Sequence, residues 1–119
     1  MSHHHHAVCD RPGTLAVARF EGRELARSTD PVVLREFAAK AYPPVVYFPP
    51  ADVDMTLLKR SRKTTTCPIK GMATYYRLAA DGDDGAEVAW TYEEPVAGVE
   101  AIRGHLAFYP DRIDVAIGG

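Results

Sequence analysis

Cysteine is scarce in this chain and poorly placed for structural chemistry. Cys9 and Cys67 are its two thiols. They form no Cys-x-x-Cys pair, and a disulfide between them is not expected in a reducing compartment. Histidine is nearly as scarce once His3 to His6 are set aside, because Met-Ser-His-His-His-His reads as an expression tag or part of one. That leaves His105. Two thiols and one imidazole cannot close a four-ligand zinc site without carboxylates, so neither a metal nor a cofactor is expected.

Long hydrophobic runs are also missing. Residues 45–48 and 106–109 are typical of the apolar stretches, far short of the ~20 residues of a membrane span. The start lacks the basic-then-apolar pattern of an export signal. A cytoplasmic domain with no membrane partner is the expectation. Surplus charge is absent as well, the formal balance being −2. Lys59, Arg60, Arg62 and Lys63 form a local basic run, and residues 81–100 hold seven acids and no base. No aromatic side chain lies within the basic run to stack on a base, so nucleic acid is not expected and a solvated loop is.

What the chain does have is an ordinary globular composition: 119 residues, 46% hydrophobic and 25% charged. That is one domain with one core. Residues 1–13, with Pro12 and Gly13, read as a disordered leader, and 14–119 as the domain. Apolar runs on either side of Glu21-Gly22 predict a β-hairpin. Asp30-Pro31 is suited to opening a helix, whereas Val32-Val33 favours strand, and strand running into a helical turn is the expectation for 30–38. Residues 45–48 predict a strand between proline pairs. Residues 51–58 predict a short helix capped by Asp52.

Alternation predicts further strands over 69–78 and 87–92, joined antiparallel through the turn Asp81-Gly82-Asp83-Asp84-Gly85. A helical turn over 99–103, stopped by Gly104, and a last hairpin from 106–109 and 113–117 complete the count. The fold class is mainly β, with one or two brief helical turns.

Three stretches are distinctive in order and interval. The first is Tyr42-Pro43-Pro44-Val45-Val46-Tyr47-Phe48-Pro49 with Asp52-Val53. The second is Thr66-Cys67-Pro68-Ile69-Lys70-Gly71 with Tyr75-Tyr76. The third is Ala89-Trp90-Thr91-Tyr92 and Pro95, closing on Leu106-Ala107-Phe108-Tyr109 and Asp111-Arg112. Together they resemble the bacterial family called domain of unknown function 427, DUF427, from about Leu15 onward. The resemblance implies a small tent-like β-complex in which antiparallel sheets pack across one another. Relatives of that fold class hold zinc through paired cysteines, which this chain lacks. Labels on the family describe its members as nucleotidyltransferase-like, but the chain has no P-loop and no Gly-Ser followed by paired aspartates.

The candidate site is the loop from Thr64 to Gly71. The Lys70 ammonium, the Thr66 hydroxyl and backbone N–H groups near Gly71 suit an anion such as a phosphate or carboxylate. Cys67, three positions from Lys70, is a weak candidate nucleophile. Tyr47, Tyr75, Trp90 and Tyr92 would supply an aromatic face for a flat ligand, although a small domain needs most such rings in its core. Glu93 and Glu94 are adjacent on a strand end, point apart, and make a poor acid–base pair.

Two functions follow as expectations. One is a small-molecule domain or minor enzyme with an anionic ligand between Lys70, Cys67 and the aromatic face. The other is a non-catalytic interaction module, a homodimer among its forms, anchored through Trp90.

Overall fold

The computed structural model describes residues 5–118; His3 and His4 of the histidine tract lie outside them. Ten strands run in chain order: β1 (His6–Asp10), β2 (Ala16–Phe20), β3 (Arg23–Ser28), β4 (Val32–Phe37), β5 (Val45–Tyr47), β6 (Leu58–Cys67), β7 (Gly71–Leu78), β8 (Glu87–Tyr92), β9 (Leu106–Phe108) and β10 (Asp114–Ile117). They form three antiparallel sheets, ordered β1-β4-β5, β10-β2-β3 and β6-β7-β8-β9. The mainly β, antiparallel class expected from the sequence is what the chain adopts. The helical content is four short 3₁₀ segments rather than one or two turns: Pro50–Asp52, Met55–Leu57, Ala79–Asp84 and Glu100–Ile102.

The four-stranded sheet is the middle layer, because it buries side chains on both faces. In β9, Leu106 and Phe108 enter one core while Ala107 enters the other, as the two-residue period of a strand requires. The first core lies against β2 and β3 and includes Ala16, Leu25, Phe48, Leu78, Phe108 and Ile113. The second lies against β4 and β5 and includes Val32, Leu34, Tyr47, Tyr75, Tyr92 and Ile102. Phe48 stitches the layers together: its N–H donates to the Leu106 carbonyl at 2.7 Å, and it accepts from Leu106 N–H at 2.9 Å.

The hairpin at Glu21-Gly22 forms as expected, both turn residues having positive φ (51° and 81°). Within 30–38, Val32–Phe37 forms strand β4 and no helical turn follows it, so the β-branched pair prevails over the capping signal. Other expectations need correction. The segment read as a disordered leader contains β1, which pairs along β4 from His6↔Phe37 to Asp10↔Val33. The short helix at 51–58 is two separate 3₁₀ turns, and Asp54, not Asp52, caps the second by accepting from Thr56 N–H at 3.1 Å. The basic run is not a loop but part of β6, an edge strand, where charged side chains discourage pairing with another chain. The closing hairpin does not form either: β9 pairs with β8, and β10 crosses to β2. No helix among the described residues is long and apolar enough to cross a membrane.

Candidate functional site

The β6–β7 connection is a tight turn closed by Lys70 N–H donating to the Cys67 carbonyl at 3.2 Å. Gly71 follows at φ 117°, with its missing Cβ facing the Glu94 carbonyl oxygen at 3.0 Å. Glycine is needed there both for the backbone conformation and for the close approach. The Lys70 carbonyl in turn accepts from Val96 N–H at 3.1 Å, tying the turn to the segment after β8. The Lys70 N–H is thus spent inside the turn and is not among the free amides an anion would meet.

The Lys70 side chain folds back over the second core. Its Nζ donates to Glu36 Oε1 at 3.0 Å, and the two side chains are only 14% and 11% exposed. Nζ also lies 5.8 Å from the centre of the Tyr92 ring, within reach of its negative face. Burial raises the Glu36 pKa, but the hydrogen bonds from His5 and Lys70 and the charge on Lys70 outweigh it, leaving the carboxyl below its ordinary range. Glu36 did not stand out in the sequence. A usable signal was there: Val32, Leu34 and Glu36 alternate on one face of β4, and an acid on a core-facing position needs a partner.

Tyr47 lies beneath this pair, fully buried, its hydroxyl accepting from Trp90 Nε1 at 3.2 Å. Trp90 is edge-on to Tyr47 and packs 4.7 Å from the Tyr109 ring, measured between centroids. Burial drives the Tyr47 hydroxyl far above its usual pKa, assisted by the negative potential of Cys9, Glu36 and Cys67. Burial does the same to Tyr92, and pushes Tyr109 up to about 12. These phenols are neutral at any ordinary pH and serve as hydrogen-bonding groups.

The topology therefore gathers Lys70, Cys67, Tyr47, Tyr75, Trp90 and Tyr92 around the second core and adds Glu36. Thr66 is exposed, and Tyr75 turns to the Thr65 hydroxyl at 2.7 Å, with Lys63 Nζ 4.8 Å from its ring centre. Cys67 is half-buried at the edge of that core. His105 uses Nδ1 on the Arg103 carbonyl at 2.9 Å and is not paired with Cys67. Trp90 is half-buried with its N–H spent inside the domain, not splayed on a flat patch. No group of three or more His, Cys, Asp or Glu side chains among the described residues is arranged to hold a metal.

Fold and site define a small antiparallel β domain with a shielded lysine–glutamate pair at the rim of an aromatic cluster. The chain belongs to the family described as domain of unknown function DUF427, whose profile matches residues 10–119. Comparison with curated proteins gives no match.

Proposed function

We propose that the chain is a binding domain for a small anionic ligand seated against the Lys70–Glu36 pair. One observation carries the reading: a lysine and a carboxylate are held together, largely withdrawn from water, at the edge of a cluster of Tyr47, Trp90 and Tyr92. Such a pair contributes little to stability, since desolvation offsets its attraction. It does preorganise an ammonium beside an acceptor. A ligand carboxylate or phosphate would compete with Glu36 for Lys70, and a neighbouring ligand donor would satisfy Glu36. Trp90, the half-buried ring of the cluster, would cover the ligand's apolar part.

The experiment is a thermal-shift screen of carboxylic acids and sugar phosphates, run with the histidine tract removed because His5 Nε2 lies 2.6 Å from Glu36. A ligand at ~100 times its dissociation constant adds ~2.7 kcal/mol of stability. The shift is expected in the wild type and absent from Lys70→Ala. Silence in a folded wild type would favour the interaction module instead.

A further inference from the structure

A second concentration of charge lies away from this pair. A cleft of about 570 Å³ is walled by Lys59, Arg60 and Arg62 of β6, Arg77 of β7, and Asp83. Four cations and one acid thus face one concavity in a chain whose formal charge is −2. The register explains how they meet. Lys59 sits directly opposite Arg77, an unfavourable like-charge pairing for a bare sheet. The pairing then slips, because Arg60 faces Tyr76 whereas Thr64 faces Thr74, so three residues of β6 span one of β7. Within that bulge Ser61 turns inward, and its hydroxyl accepts from Arg77 Nη2 at 3.0 Å. Arg77 is therefore fixed in place by a neutral group.

These charges are poorly matched within the chain. Arg77 forms no ion pair among the described residues, and its Nε is buried with no hydrogen-bond partner. Arg62 makes no ion pair or side-chain hydrogen bond among them either. Lys59 pairs with Asp83 at 2.7 Å, but the Asp83 side chain is 82% exposed, and Arg60 pairs with Glu93 at 3.2 Å with both side chains more than half exposed. Partners held so loosely are readily exchanged for a better anion. Asp83 follows Gly82, whose backbone (φ 69°, ψ −159°) suits glycine alone, and the turn delivers one carboxylate into a cleft of guanidinium groups.

We propose that this cleft binds a compact multivalent oxyanion, such as a short phosphate chain, and that Asp83 occupies the Lys59 position until the ligand displaces it. Guanidinium groups match phosphate oxygens in geometry as well as charge. The volume suits a small molecule. No aromatic ring lines the cleft, so the ligand is recognised by its anionic groups and not by a stacked base.

The test is calorimetric titration of the full chain with inorganic phosphate, pyrophosphate and tripolyphosphate at about 0.15 M salt. Affinity is expected to climb with the number of phosphates. Arg62→Glu, an exposed position that spares the fold, should cost about tenfold or more, while Asp83→Asn should tighten binding about threefold. Equal affinity in Arg62→Glu, or weaker binding in Asp83→Asn, would overturn the proposal. So would single-stranded DNA binding that tripolyphosphate cannot displace, since that marks a nucleic-acid face.

Discussion

Lys70 and Glu36, 34 positions apart in the chain, meet at 3.0 Å because β4 and the β6–β7 turn converge on the same core. The partners sit at the rim of that core and not at its centre, so breaking the pair should cost less than it would for a fully buried one. Lys70→Ala is expected to destabilise the domain by about 2 kcal/mol, most of it from stranding Glu36 in a low-polarity setting. For a domain of this size that lowers the melting temperature by roughly 8 °C. Replacing both partners, as in Glu36→Gln with Lys70→Met, should recover most of the loss. Simple additivity of the two single losses in a double-mutant cycle would show that the pair is not coupled.

The same contact sets a pH dependence. The folded-state pKa of Glu36 lies below its ordinary 4.5, the hydrogen bonds and the lysine charge together outweighing burial. A carboxyl depressed on folding adds stability that is present above its unfolded pKa and lost as pH falls through the folded value. Wild type should therefore exceed Glu36→Gln by a constant margin above about pH 5, the margin closing as the solution is acidified. Asp83 and Glu100 are depressed as well, by Lys59 and by backbone N–H groups respectively. Both are retained in the variant, so their contributions cancel in the comparison. Urea denaturation at several pH values provides the reading, and an unchanging margin down to pH ~3 would contradict the assignment.

The Gly71 backbone is a more severe constraint than the charge pair. At φ 117°, a Cβ would meet the Glu94 carbonyl oxygen at 3.0 Å and Pro95 Cα at 3.5 Å, both of them backbone atoms with little room to yield. Gly22, at φ 81°, has nothing within 4 Å of its hypothetical Cβ. Gly71→Ala should thus cost about 2–3 kcal/mol, from strain and contact together, against about 1 kcal/mol for Gly22→Ala from strain alone. Equal losses in the two variants, measured by chemical denaturation, would mean that the turn adjusts freely around position 71.

Local features of this fold are legible in the sequence, and long-range ones are not. Glu21-Gly22 announces its hairpin because the turn's requirement for positive φ falls on adjacent residues. Thr74, Tyr75 and Trp90 lie on neighbouring strands as their alternation suggests, Tyr75 opposite Trp90. The strand β1 was hidden because its partner β4 lies about 25 residues downstream, as in Asp10↔Val33 and Cys9↔Leu34. The strand β10 is legible as an apolar run at 113–117, but its partner is not, because it pairs Asp114 with Arg19, far upstream in the chain. In the basic run, no apolar alternation marks β6, since an edge strand with one open side is free to carry charge. Of the site, Cys67, Lys70, Tyr47, Trp90 and Tyr92 were readable as residue types. Glu36 became readable only once β4 was known to be a strand.

The hairpin between β2 and β3 retains a local conflict that a single substitution should relieve. Glu21 holds φ 51°, the only positive value among described non-glycine residues. Side chains with a Cβ pay about 1 kcal/mol for the left-handed region, whereas asparagine tolerates it through its short polar side chain. The two-residue turn needs this conformation at Glu21 and Gly22 alike, because its twist matches that of the strands it joins. Glu21 has no ion-pair partner among the described residues to lose. Glu21→Asn is therefore expected to stabilise the domain by about 0.5 kcal/mol, seen as a higher urea midpoint at unchanged slope. An unchanged or lower midpoint would show that the turn conformation costs nothing in the folded chain, or that the Glu21 side chain supports the apolar cleft it lines with Phe20, Leu25, Leu57 and Leu78.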